Sequence, residues 1–156
     1  MNRAPLALLP LLTACGTATA QPPVAGSCSN APAFTAHTYH PVRLQTLSSC
    51  QTASGTIEAV RHEADGDRHV LLRLDPQYDS LLNGVNLSAT QGDLILEAQC
   101  VDPVTQADAV QACQGSPAPA GLELLTSGRH VVVSGPYVLD LEHGWNEIHP
   151  VLEAKE

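Results

Sequence analysis

The sequence predicts a mostly β domain, a small five-stranded barrel with one short helix between strands 3 and 4. Three observations predict it. Short runs rich in Val, Leu, Ile and Thr recur along the second two-thirds of the chain, separated by Gly, Pro, Asn and Asp. Asp65-Gly66 stands between two of these runs and is a hairpin dipeptide. Hydrophobic residues make up 44% of the 156 positions and aromatics only 3%, so one compact domain can bury a core built mainly of aliphatic side chains. The same short strands would also build a β-sandwich, which is the alternative architecture.

Residues 38–49 carry no decisive pattern. Residues 54–62 are rich in strand formers and begin beside Gly55, which suits a bulge or bend. Asp65-Gly66-Asp67 turns the chain into a second strand, residues 69–75, which Pro76 ends. In that strand Val70, Leu72 and Leu74 face one side, and His69, Leu71, Arg73 and Asp75 the other. Residues 77–91 read as a connecting loop with a helical turn near 79–82, and residues 92–99 as a third strand. The short helix is expected from Thr105, an N-cap with Asp108 three residues on, to about Cys113. A fourth strand covers residues 128–140, where Gly135 lets the chain bend. The fifth covers 145–152. This order matches the oligonucleotide/oligosaccharide-binding (OB) barrel, a partly open Greek key.

The N-terminus reads as an address. Met1-Asn2-Arg3 precedes a short apolar run, too short to span a bilayer, and then comes Leu12-Thr13-Ala14-Cys15-Gly16. That sequence resembles the lipobox of bacterial lipoproteins, which implies lipidation at Cys15 and a membrane reached through the lipid anchor. Residues 1–14 are then the signal peptide, 15–36 a Pro-rich tether, and 37–156 the barrel domain. The protein is expected to be exported to the bacterial cell envelope. Four further cysteines remain, an even number that suggests two disulfides in an exported chain. Of the three connectivities open to Cys28, Cys50, Cys100 and Cys113, the favoured one pairs Cys100 with Cys113 and Cys28 with Cys50. A formal net charge of −9 disfavours nucleic acid as a partner and any polybasic grip on a membrane surface.

The most specific stretch is His143-Gly144-Trp145-Asn146-Glu147-Ile148-His149-Pro150. Extended, it puts His143, Trp145, Glu147 and His149 on one face. Residues 143 and 149 then lie about 20 Å apart, so Glu147 and His149 are the pair able to share a ligand. Two imidazoles and a carboxylate suit a divalent metal such as zinc, and His69 is the residue expected to complete a Glu147/His149 set. Asp65, Asp67, His143 and Trp145 are candidate ligand-binding residues. The simpler reading is structural, with no cofactor: Trp145 as packing anchor, His143 bonded to the turn, and Glu147 and His149 satisfying each other.

Asp65-Gly66-Asp67-Arg68-His69, the cysteines that bracket residues 104–109, and the ending from Asp140 through His143-Gly144-Trp145 to Pro150-Val151 together resemble a widespread set of small exported bacterial proteins. The resemblance spans roughly residues 42–151. It implies an OB-like fold outside the cytoplasm and no particular reaction. Asp65-Gly66-Asp67 before a strand is also similar to thermonuclease-type phosphodiesterases, but the arginine and glutamate those enzymes carry downstream have no counterpart here. No catalytic set is complete. The expected function is an envelope-anchored binding or interaction module for a protein, saccharide or small molecule. The alternative is a metal-dependent, phosphodiesterase-like hydrolase using a His/Glu/Asp site.

Overall fold

A computed structural model of the chain describes residues 28–156. The lipobox with Cys15, the signal segment 1–14 and the tether up to residue 27 lie outside the described residues.

β1 (Leu44–His62) is 19 residues long because it serves two neighbours. Its first part pairs antiparallel with β4 (His130–Asp140), and its last part, from Gly55, with β2 (Arg68–Leu74). Gly55 lies where the two pairings overlap, and a Cβ there would sit 2.1 Å from the Arg73 carbonyl oxygen, so glycine permits the close approach. β3 (Leu94–Ala98) runs antiparallel to β2; β5 (Asn146–Ile148) runs parallel to β3 and antiparallel to β4. The strands therefore close a ring, β1-β2-β3-β5-β4 and back to β1. β6 (Glu153–Lys155) adds to β4 outside that ring. The result is a small OB-like barrel.

Alternation decides what fills it. Val70, Leu72 and Leu74 of β2, Leu94, Leu96 and Ala98 of β3, Val131 and Val133 of β4 and Ile148 of β5 form one buried cluster. Burying each larger aliphatic side chain contributes roughly 2 kcal/mol. The residues between them in sequence point outward, and on β3 even these are buried. Something therefore covers the outer face of β3, and that cover positions the candidate site.

Part of the cover is the N-terminal segment. α1 (Ala31–Thr35) buries Phe34, and Gln99 Nε2 donates to the Phe34 carbonyl at 2.6 Å. The packed unit thus starts by Cys28, earlier than the boundary expected at residue 37, because Phe34 is an apolar anchor inside an otherwise linker-like sequence. Both disulfides form in the favoured pairing: Cys28–Cys50 and Cys100–Cys113, with Cα separations of 5.6 and 5.2 Å. Such bonds are compatible with an exported protein. Intact mass before and after reduction under denaturing conditions is expected to differ by four hydrogens, two per bond. An unchanged mass would contradict the pairing.

The helix expected over residues 105–113 is absent. The segment is a run of turns, and the Thr105 hydroxyl bonds the Ala64 carbonyl instead of capping a helix. The physical reason is tethering. The backbone N–H groups of Val101 and Asp102 go to the Gly66 carbonyl, those of Thr105 and Gln106 to the Ala64 carbonyl, and the Cys100–Cys113 bond closes the loop. With the Thr105 hydroxyl turned to the Ala64 carbonyl, no side-chain acceptor caps a helix start, and the closed loop is held as turns. Asp108 instead accepts the Tyr39 hydroxyl at 2.7 Å. Between β3 and β4 the helical piece is a 3-10 turn, Leu122–Leu124. The longer α-helix lies between β2 and β3: α2 (Gly84–Ala89), capped by Asn83 in a reciprocal box with Asn86. Among the described residues no helix is long and apolar enough to cross a membrane.

The same loop carries Asp102, which accepts both Nε and Nη2 of Arg68 at 2.8 and 2.7 Å and also pairs with His62. The Arg68 hydrogen bonds come first among the causes that hold its carboxyl down at about 2, from an ordinary 3.8. A carboxyl lowered in the folded state stabilises the fold above its unfolded pKa and loses that contribution as pH falls through the folded one. Acid titration of stability is expected to show a slope between pH 4 and pH 2 that Asp102→Asn flattens. An identical slope in the variant would assign the effect to other groups.

Candidate functional site

The site follows from sheet register. His69 on β2 and Glu97 on β3 are cross-strand partners. On the other side of β3, Ile95 lies beside Glu147 and Leu96 beside Ile148 in the parallel pairing; one further step sets His149 beside Glu97. Val70, Leu96 and Ile148 point into the barrel. His69, Glu97, Glu147 and His149 therefore share its outer face.

That face is dry under its cover: Glu97, Glu147 and His149 are each 1% exposed. Glu147 Oε1 lies 3.0 Å from His149 Nδ1, and Glu147 Oε2 accepts Trp145 Nε1–H at 2.8 Å. Nδ1 is thus the edge of the His149 ring turned to Glu147, and Nε2 lies on the opposite edge. His69 Nε2 lies 2.8 Å from Glu97 Oε2, but without the alignment of a hydrogen bond. Both Glu97 oxygens and His149 Nε2 are buried without a hydrogen-bond partner. Such orphaned groups are expensive, so their presence asks for an explanation.

Electrostatics agree with crowding. Burial, followed by the neighbouring Glu147 and Asp67, pushes the Glu97 carboxyl well above the usual range. Burial, with Asp65 adding repulsion, raises Asp67 to about 6, against the Cys100 N–H that its Oδ1 accepts at 2.6 Å. Burial also lowers His69, which Glu63 and Glu147 oppose.

The chain turns before β5, and Asp140 organises that turn. Asp140 is fully buried and accepts His143 Nδ1 and the backbone N–H groups of Glu142 and His143; Arg43 pairs with it as well. Gly144, at φ +81, folds the chain so that His143 stacks flat on Trp145, with ring centroids 4.3 Å apart. The His69 ring meets both edge-on. His143 belongs to this aromatic group and does not join the buried Glu97/Glu147/His149 group.

The sequence-level metal set of His69, Glu147 and His149 is thus rearranged around a residue it did not include. One ligand atom from each of Glu97, Glu147 and His149 lies within 4.8 Å of the others, and His69 reaches the group through Glu97. The signal available for Glu97 was a lone carboxylate in Leu94-Ile95-Leu96-Glu97-Ala98, opposite a histidine in the hairpin. Asp67, Cys100 and Cys113 also lie close together, but the cysteines are joined as a disulfide and offer no thiolate. Asp65 accepts the Asp67 N–H, the ordinary bond of a turn aspartate.

Above the buried group is an open polar cavity of about 240 Å³. Its lining includes Glu63 and Asp65 from the β1–β2 turn, His69, and Glu142 and His143 from the β4–β5 turn, with Arg43 at one side. A second cavity, about 170 Å³, lies on the other side and is lined by Thr35, Thr38 and His149 among others.

The fold and its outer face define a small OB-like β barrel with a covered polar cluster. No protein family, curated protein or solved structure was found to match the chain.

Proposed function

We propose that this chain is an exported lipoprotein, held to a membrane by lipid on Cys15, whose OB-like barrel is a binding module. One observation carries the reading. The 240 Å³ cavity lies over β2, the β1–β2 turn and the β4–β5 turn, the face and loops with which OB barrels bind their ligands. Its lining mixes Glu63, Asp65 and Glu142 with Arg43, His69 and His143. Such a balance of donors and acceptors suits a neutral, hydroxyl-rich ligand of about monosaccharide size, and the chain's net charge of −9 disfavours a polyanion.

Two measurements test this. Full-length protein produced in a bacterial host is expected in the membrane fraction, and Cys15→Ser is expected to leave it unprocessed or released. Unchanged processing and fractionation would contradict the anchor. Titration of the folded protein with a panel of mono- and disaccharides, followed by NMR, is expected to perturb His69 and His143 first. Perturbation of neither by any sugar would contradict the saccharide reading of the cavity.

A further inference from the structure

We propose that Glu97, Glu147 and His149 form a buried site for one divalent transition-metal ion, of which zinc fits the donor set best. The site is separate from the open cavity, and it does not depend on what that cavity binds.

The first observation is placement. Three potential ligand atoms, from β3, β5 and the residue that follows β5, lie within 4.8 Å of one another. Donors about 2.1 Å from a tetrahedral ion lie about 3.4 Å apart, so small side-chain adjustments bring them together. The second observation is independent of the first. Both Glu97 oxygens are buried and lack a well-aligned hydrogen-bond partner, His69 Nε2 standing 2.8 Å from Oε2. Glu97 is only 1% exposed, which keeps these oxygens from bulk water. Among the described residues no Lys or Arg forms an ion pair with Glu97 or Glu147. A dication supplies the missing charge and the missing partner at once.

The surroundings are those of a held ligand set. Trp145 Nε1–H fixes one oxygen of Glu147, and His149 Nδ1 fixes the other. Each carboxylate oxygen retains a lone pair for an ion. With Glu147 Oε1 and His149 Nδ1 3.0 Å apart, an ion held by all three residues takes the place of the proton between them, and Nδ1 is the ligating nitrogen. His69 positions Glu97 from the β2 side. One imidazole and two carboxylates suit zinc or a similar first-row ion; calcium asks for six to eight oxygens, which this dry face does not offer. The cover over the site makes it a closed, structural one, reached from the 170 Å³ cavity at His149.

The experiment uses full chain purified without a histidine tag and stripped with a chelator. Zinc is the probe, read by calorimetric titration and thermal unfolding. The expected result is one zinc per chain and a raised melting temperature. Glu97→Gln is expected to remain folded without zinc, because it removes an unpartnered buried carboxyl, and to bind zinc at least about 100-fold more weakly. A His62→Ala/His130→Ala variant, which alters exposed histidines, is expected to bind as the wild type does. Should Glu97→Gln fail to fold, His149→Asn provides the same reading. The proposal is overturned if zinc neither binds the wild type nor shifts its melting temperature. It is also overturned if a folded Glu97→Gln or His149→Asn variant binds zinc normally, or if the surface-histidine variant loses binding.

Discussion

Gly135→Ala is expected to destabilise the domain by about 3 kcal/mol or more, a large part of the 5–15 kcal/mol typical of a domain. A Cβ at 135 would lie 2.2 Å from the Pro150 carbonyl oxygen and 2.7 Å from Ile148 Cγ2. Neither side can move away freely. The returning chain is bonded to β4 on both sides of Gly135, through Leu152 N–H to the Ser134 carbonyl and His149 N–H to the Pro136 carbonyl. Relief of the clash therefore means breaking backbone hydrogen bonds and displacing His149. Urea titration by circular dichroism provides the measurement. Gly84→Ala is the control, since nothing lies within 4 Å of its added Cβ, and it is expected to be neutral or slightly stabilising. A Gly135→Ala variant within 1 kcal/mol of wild type would show that β4 and the returning chain do not approach as described.

Arg43→Ala is expected to cost about 3 kcal/mol, the scale for removing one partner of a buried ion pair. Burial alone would raise the Asp140 carboxyl; the His143 hydrogen bond, the Arg43 guanidinium and backbone N–H groups outweigh it and hold the group below its usual range. Arg43 is the one cation in that set which keeps its charge at every accessible pH. Its loss leaves a carboxylate with no exposure facing only His143 and the turn amides. Adding Asp140→Asn to Arg43→Ala is expected to recover part of the loss. Purely additive losses in the double-mutant cycle would mean that the two side chains do not interact. The turn that stacks His143 on Trp145 depends on this pair, so ligand binding in the open cavity should weaken alongside stability.

The barrel was legible because alternation is local. The two faces of β2 follow from Val70, Leu72 and Leu74 spaced by two, and the β1–β2 hairpin from Asp65-Gly66. The kinship of Glu147 and His149 needed only strand period. What was not legible depends on long-range register. Glu97 enters the site because β3 has β2 on one side and β5, some 50 residues later, on the other. Nothing within Leu94-Ile95-Leu96-Glu97-Ala98 announces its second neighbour. The same holds for the cover. Phe34 in a linker-like sequence looks incidental until Gln99 and the Cys28–Cys50 bond tie its segment down. The segment after Cys100 erred for a related reason: Thr105 and Asp108 have helix-start chemistry, but the Ala64 carbonyl and Tyr39 hydroxyl claim their groups first.

The central claim is that Glu97, Glu147 and His149 converge, across β3 and β5, on one ligand. Crystals grown with zinc and measured on both sides of the zinc absorption edge test it most directly. The account predicts a single strong anomalous peak about 2.0–2.2 Å from donor atoms of all three residues. A peak confined to exposed histidines such as His62 or His130, with the buried cluster empty, would contradict it.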